Sequence, residues 1–217
     1  SARSSPQEVG VLVTRGLADM VESPGGSLWF RALGDDDFVQ TARWNMPAND
    51  TREAPQSTFC SFLRDNEWIV DLSAPGDSSA SGMPPVPAAL AAVPEAWLLV
   101  PLLVGSDMLG FVILARPRTA LSLNWETRDL LKTAARQAAV FLAQMHAAEA
   151  LLEARKFDAF NRMSAFVVHD LKNIMTQLSL LLKNAERHKD NPEFQQDMLL
   201  TVESSLEKMR QMMAQLR

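Results

Sequence analysis

The chain of 217 residues has one cysteine, no surplus of positive charge and no long hydrophobic run. Cys60 cannot form a disulfide within the chain, and its isolation fits a reducing compartment. The formal net charge of -5 argues against nucleic acid as a partner, because nucleic-acid-binding surfaces are basic. The longest apolar run, residues 97–104, is interrupted by Pro101 and falls short of the roughly 18 residues that cross a bilayer. We therefore expect a cytoplasmic segment without a membrane span.

Proline and glycine are absent between Pro117 and Pro192, which predicts an unusually long helix. Apolar residues recur there every three or four positions, from Leu131 to Leu152 and again from Phe160 to Ala185. The two series are out of register. The phase slips at residues 153–156, where a coiled coil would be locally over- or underwound.

A polar segment, residues 184–192, predicts the turn of a helical hairpin. Apolar residues follow it at three-four spacing from Leu199 to Leu216. One such hairpin has too narrow a core to be stable alone, whereas two copies form an antiparallel four-helix bundle. The spacing therefore predicts a homodimer.

The first 123 residues have a different pattern, in which short apolar runs are separated by glycine, proline and serine. This pattern predicts an α+β domain, an antiparallel sheet with helices packed on it. The predicted elements are a helix at 6–21, a hairpin of strands 27–33 and 37–46, a helix at 56–65, a strand at 67–72, a mobile loop at 73–87, a helical turn at 88–93, and a hairpin of strands 97–104 and 108–116.

The residues with the clearest chemistry are a histidine, an acid and an asparagine within residues 166–173, FVVHDLKN. His169 and Asn173 are about one helical turn apart and therefore share a face. Asp170 can hold one ring nitrogen of the imidazole protonated and leave the other free as a nucleophile. Accepting a phosphoryl group requires such a nucleophile. Relative to the hairpin seam, His169 lies at an outer position.

This pattern of a histidine, an acid, two residues and an asparagine on a dimerising hairpin resembles the HisKA-type phosphotransfer domain of sensor histidine kinases. The preceding order of elements resembles a GAF domain, a fold that senses small molecules and other signals. The stretches Leu123–Glu126, Phe157–Asn173 and Asn191–Phe194 are similar to sensor kinases of the PEP-CTERM/exosortase protein-sorting system. Together the resemblances cover almost the whole chain.

The resemblance implies roles for three residues. His169 would be the phosphoacceptor, and Asp170 would be the neighbouring acid that assists removal of a proton from the imidazole. Asn173 would position a water that dephosphorylates the partner response regulator. Many family members carry a proline shortly after this asparagine. Residues 174–177, IMTQ, contain none, so we expect a straighter helix.

The resemblance also implies three parts: a GAF-like sensor domain at 5–123, a signalling helix at 124–158, and a dimerisation and histidine phosphotransfer hairpin at 159–217. No phosphate-binding glycine loop occurs in the chain. The ATP-binding kinase domain is therefore expected after residue 217. ATP and Mg²⁺ would bind there, so we expect no cofactor in this chain and no phosphorylation by it alone.

The partners implied are a second copy, the kinase domain, a cognate response regulator and a small-molecule ligand. The chain begins without methionine, and the resemblance is compatible with a membrane portion before residue 1. In that case these residues would be the cytoplasmic part of an inner-membrane protein.

In the GAF-like part, aromatic residues are candidates for lining a ligand pocket, although aromatics on strands usually belong to the core. Arg31 and Arg43 are candidates for recognising an anion, against the simpler interpretation that they are solvated. Cys60 is interpreted as a buried apolar residue, and no cysteine–histidine cluster predicts a metal site. His146 and His188 are interpreted as ordinary surface residues. The pocket candidates are Trp29, Trp44, Phe59, Trp68 and Trp97.

Two other functions compete with this interpretation. A non-enzymatic dimeric ligand-binding regulator of GAF type would use the long helices only to pair its subunits. It would leave the spacing of His169, Asp170 and Asn173 to chance. A cofactor-dependent enzyme in the GAF-like part would need a catalytic constellation, and the sequence contains none there.

Overall fold

The computed structural model of the chain describes residues 6–31, 36–73, 82–119, 123–188 and 190–215. The chain divides into two compact units, Ser1–Glu149 and Ala150–Arg217. The first combines an antiparallel sheet with helices, and the second contains helix only. The predicted α+β class is thereby confirmed.

The first unit contains five strands and the helices that cover them. The strands pair antiparallel in the order β2-β1-β5-β4-β3. The elements are α1 (Pro6–Asp19), β1 (Gly26–Arg31), β2 (Phe38–Trp44), α2 (Thr58–Asn66), β3 (Val70–Asp71), α3 (Ala88–Ala91), β4 (Ala96–Val104), β5 (Asp107–Ala115) and the first part of α4 (Trp125–His188).

Both predicted hairpins are present. Strands β4 and β5 turn at Gly105, whose φ of 59° suits glycine. Strands β1 and β2 pair from Gly26 opposite Trp44 to Arg31 opposite Phe38, and the tip of that hairpin, residues 32–35, lies outside the described residues. Most of the loop predicted at 73–87 also lies outside them.

Two apolar clusters occupy the two faces of the sheet, because side chains alternate along each strand. On β4, Leu98 and Val100 belong to the cluster that contains residues of α1 and α4. The next residue in each case faces the other way, and Leu99 packs with residues of α2 and α3. Burial on both faces explains why β4 reads as a nearly continuous apolar run.

Strand β3 differs most from the sequence prediction in length, for a reason found at the end of the preceding helix. Helix α2 begins after Ser57, whose hydroxyl accepts a hydrogen bond from the Cys60 amide at 3.1 Å, and it ends where Glu67 adopts a φ of 47°. This left-handed residue delays the following strand, so β3 is two residues long rather than the six expected at 67–72.

Helix α4 is continuous over 64 residues, as the missing proline and glycine predict. The side-chain oxygen of Asn124 caps it by accepting a hydrogen bond from the Thr127 amide at 2.8 Å. Four residues of its first part are buried in the cluster shared with α1 and the sheet. They are spaced by three and four positions: Leu131, Ala135, Ala139 and Leu142.

In the second unit, α4 is followed by α5 (Pro192–Gln215). Asn191 caps α5 by accepting a hydrogen bond from the Glu193 amide at 3.0 Å. The turn predicted at 184–192 is wrong over its first half, because α4 runs on to His188. Alanine, glutamate and arginine in that segment are good helix formers, and their polarity reflects an exposed helix surface.

Candidate functional site

His169, Asp170 and Asn173 lie together on α4. The His169 side chain is 70% exposed and that of Asp170 is 37% exposed. Ile174, one turn beyond Asp170, is buried and directs this side of α4 toward α5. The imidazole is therefore open to solvent, while the acid beside it lies nearer the second helix.

Two side chains contact the same ring nitrogen. His169 Nδ1 lies 3.2 Å from Asp170 Oδ1 and 3.4 Å from Asn173 Nδ2. A protonated Nδ1 can donate to Asp170, and it then cannot accept a hydrogen bond from Asn173. A deprotonated Nδ1 can accept from Asn173, and the ring proton then sits on Nε2. The two hydrogen bonds are mutually exclusive, and each selects a different tautomer.

A groove beside this cluster separates α4 from α5. It has a volume of about 280 Å³ and is lined by residues of both helices. Ile174 and Met212 form part of its apolar floor, and both are buried. The polar residues that line it are Asp170, Asn173, Gln177, Lys208 and Gln211.

Large apolar side chains also remain exposed on the hairpin. On α4, Val168, Leu171 and Met175 recur at three-four spacing and line a second, open groove. On α5, Leu199, Val202, Leu206 and Met213 of the predicted series are exposed as well, whereas the neighbouring Ser205 and Met212 are buried. The hairpin therefore leaves apolar surface uncovered on both helices.

The aromatic pocket candidates do not form one site. Trp29 and Phe59 are buried in the cluster on the α2–α3 face of the sheet. Trp97 belongs to the opposite cluster, and Trp44 packs against that cluster from its edge. Trp68 is exposed. The structure thus assigns four of the five to core packing.

The other sensor candidates have structural roles. Arg31 lies over the Phe38 ring at 5.8 Å, and an Arg43 guanidinium nitrogen donates to the Met46 carbonyl at 3.1 Å. Burial raises the pKa of the Cys60 thiol to about 11, and the negative charge of Glu53 acts in the same direction. Cys60 is therefore an unreactive buried thiol, as predicted.

Some contacts in the structure could not be predicted from the sequence. The His146 ring stacks on Phe30 with centroids 4.7 Å apart, so this histidine is not the ordinary surface residue expected. Glu53 is buried and accepts a hydrogen bond from the Ser57 hydroxyl at 2.6 Å. Within the described ranges, no three His, Cys, Asp or Glu side chains come together as a metal-binding group.

Comparisons with known proteins identify the first unit. The model of the GAF domain family matches residues 5–142. The chain therefore belongs to the GAF domain family. No curated protein sequence matches it.

Solved structures support the same fold. A GAF domain/HD domain protein from Geobacter sulfurreducens is 20% identical, with a TM-score of 0.51 over 67% of this chain and 97% of that chain. The GAF domain from a phosphoenolpyruvate-protein phosphotransferase of Coxiella burnetii is 15% identical, with a TM-score of 0.50 over 69% of this chain and 89% of that chain. At these identities the likeness concerns the fold alone. None of the described helices combines the length and apolar composition that crossing a bilayer requires.

Proposed function

We propose that this chain is the sensor and phosphoacceptor portion of a two-component sensor histidine kinase. The observation that carries the proposal is the exposed imidazole of His169, whose Nδ1 lies 3.2 Å from the Asp170 carboxylate. An exposed, oriented imidazole on a helical hairpin joined to a GAF domain suits a protein that accepts a phosphoryl group in response to a signal.

The geometry suggests how the residues would act. With Nδ1–H donated to Asp170, the Nε2 lone pair is free to attack. An N–P bond forms as the bond from phosphorus to the leaving nucleotide oxygen breaks. The ring then carries positive charge beside the carboxylate, and its Nδ1 proton passes to Asp170. ATP and Mg²⁺ would be held by a kinase domain that we expect beyond residue 217.

His169 would next pass the phosphoryl group to an aspartate of a response regulator. Asn173 would position the water that later hydrolyses the regulator's acyl phosphate. Its amide lies one turn from the imidazole and lines the groove between α4 and α5. We expect these residues to act in the cytoplasm, and we propose kinship with sensor kinases of the PEP-CTERM/exosortase system on the stretches named above.

The uncovered apolar surface of the hairpin supports a homodimer. Val168, Leu171 and Met175 on α4 and Leu199 and Leu206 on α5 are large and exposed. Contiguous apolar surface of this kind is typical of a protein interface. A second copy of the hairpin would cover it in an antiparallel four-helix bundle.

Signal transmission is proposed to use the register slip at residues 153–156. A ligand or partner acting on the GAF domain would alter the packing of the first part of α4. The slip would then favour one of two arrangements of the bundle. Insertions of one to four residues at the slip should therefore change kinase output strongly, and constant output across a full turn of insertions would exclude this mechanism.

The function is tested by phosphorylation of the chain extended through its kinase domain, with γ-labelled ATP. Label should be acid-labile and base-stable, and His169→Gln should abolish it. His146→Gln and His188→Gln are matched controls that should retain it. No label on the wild-type protein would instead favour a non-enzymatic dimeric regulator of GAF type.

A further inference from the structure

Lys208 lies on the side of α5 that faces the histidine cluster. Ser205 and Met212, three positions before it and four after it, are both buried. Residues at this spacing share one face of a helix. Lys208 therefore projects from the packed face of α5, although its own side chain remains exposed.

The groove between the helices brings Lys208 and Asp170 together. Lys208 is the one cation and Asp170 the one carboxylate among its described lining residues. The apolar floor of the groove, which includes Met212, suits the aliphatic stem of a lysine, whose ammonium group then reaches the polar mouth. The charges are complementary across the groove.

Asp170 has an oxygen available for this cation. Its Oδ1 contacts His169 Nδ1, and in the described part of the chain Oδ2 has no hydrogen-bond partner. Lys208 has no ion pair within 4.0 Å in that part either. A flexible lysine stem allows its ammonium group to approach the free oxygen.

We infer that Lys208 is a positioning residue that acts on His169 through Asp170. A cation on Oδ2 draws charge from the carboxylate and weakens its hold on the imidazole Nδ1–H. The ring proton then shifts toward Nε2, the tautomer in which Nδ1 accepts from Asn173. The consequence for phosphoryl transfer rests on the proposed function, whereas the shift of tautomer does not.

Other charged groups lie on the same two helices. Lys172 is one turn from His169 on α4, and Glu207 on α5 accepts a hydrogen bond from Gln211 at 3.3 Å. Both are unchanged in every variant below, so their influence cancels in the comparison. Arg210 is exposed and lies about 200° around α5 from Lys208, which makes it a matched control.

The test is the tautomer ratio of His169, read from ring ¹⁵N shifts of the whole chain at about pH 8. The chain contains three histidines, and His169→Gln assigns the signal. Lys208→Met should raise the ratio of Nδ1–H to Nε2–H roughly threefold, and Lys208→Arg should restore it. Arg210→Met should leave it unchanged.

An unchanged ratio in Lys208→Met, or an equal change in Arg210→Met, would overturn the inference. If circular dichroism shows that Lys208→Met does not fold, Lys208→Gln takes its place in the comparison, with the same expected rise in the tautomer ratio. Because no ATP enters this measurement, a shifted tautomer ratio with no phosphorylation of His169 would reject the proposed function and keep the positioning role of Lys208.

Discussion

Replacing Asp170 by asparagine isolates the charge of the acid beside the proposed phosphoacceptor, His169. Asparagine keeps the size of the side chain and can still accept a hydrogen bond from the imidazole Nδ1–H. It cannot stabilise the positive ring that forms as the N–P bond develops. Phosphorylation should therefore slow, while the fold stays intact, because Asp170 contributes one surface contact at 3.2 Å.

The size of the effect follows from that contact. A hydrogen bond to a charged group contributes about 1.5–3 kcal/mol, and one between neutral groups about 1 kcal/mol. The Asp170 side chain is 37% exposed, so water competes and the lower end applies. Because asparagine keeps a neutral hydrogen bond, a loss of about 0.5–1 kcal/mol is expected, which corresponds to a roughly two- to fivefold slower reaction.

Single-turnover phosphorylation with labelled ATP measures this rate in the extended protein. Asp158→Asn is the matched control, since Asp158 is an exposed acid on the same helix that pairs with Arg162. A wild-type rate in Asp170→Asn, when His169→Gln takes up no label, would refute the role given to the carboxylate. An equal slowing in Asp158→Asn would attribute the loss to general surface charge.

Four further predictions concern separate parts of the molecule. If the chain is the proposed homodimer, Met175→Asp should convert it to a monomer in sedimentation at micromolar concentration, whereas Met175→Leu should not. Asn173→Ala should slow dephosphorylation of the regulator at least tenfold and leave phosphorylation of His169 close to wild type; equal losses in both assays would reject its separate role. Gly110→Ala should destabilise the first unit by about 3 kcal/mol in urea titrations, because the added Cβ would lie 2.1 Å from the Trp29 carbonyl oxygen. Burial raises the pKa of Cys60 from 9.0 to about 11, so this thiol should resist alkylation at about pH 8 until the protein unfolds. Because folding raises the pKa, the stability linked to the neutral thiol is present below about pH 9 and is lost as pH rises from about 9 to about 11.

Much of the first unit follows from local sequence signals. The hairpin of β4 and β5 is predicted by two apolar runs that flank a turn at Gly105, and both strands appear with nearly the expected bounds. The length of β3 is not predictable in this way. It depends on the left-handed Glu67 and on pairing with β4, which are tertiary features.

Periodicity also leaves the pairing faces of the hairpin undecided. The apolar series that begins at Leu199 fits a seam, yet the structure buries the adjacent stripe of Ser205 and Met212. Two neighbouring stripes on one helix fit the same three-four pattern. Which of them packs on α4 depends on the partner helix, and for that reason the position of Lys208 could not be read from the sequence.

Helical spacing predicts part of the cluster around His169, because Asn173 lies one turn away on the same face. The adjacent Asp170 points about 100° around the helix, so its contact with the same ring nitrogen depends on the side-chain rotamers, which the spacing does not give. No comparable short-range spacing predicts which aromatic residues of the GAF domain lie together. Trp29 and Trp97 lie on opposite faces of the sheet, because strand alternation and pairing register separate them.

Because Asp170 and Asn173 both contact His169 Nδ1, the cluster has two exclusive hydrogen-bonded states. When Asp170 accepts the Nδ1 proton in a hydrogen bond, Nε2 is a nucleophile and Asn173 is released from the ring. When Asn173 donates to Nδ1 instead, Nε2 carries the proton and cannot attack phosphorus. Since both bonds cannot form together, any change that favours one disfavours the other by the same free energy. If Lys208 acts through Asp170 as inferred, a movement of α5 would change the balance between these two hydrogen bonds, and with it the proposed choice between accepting a phosphoryl group and removing one.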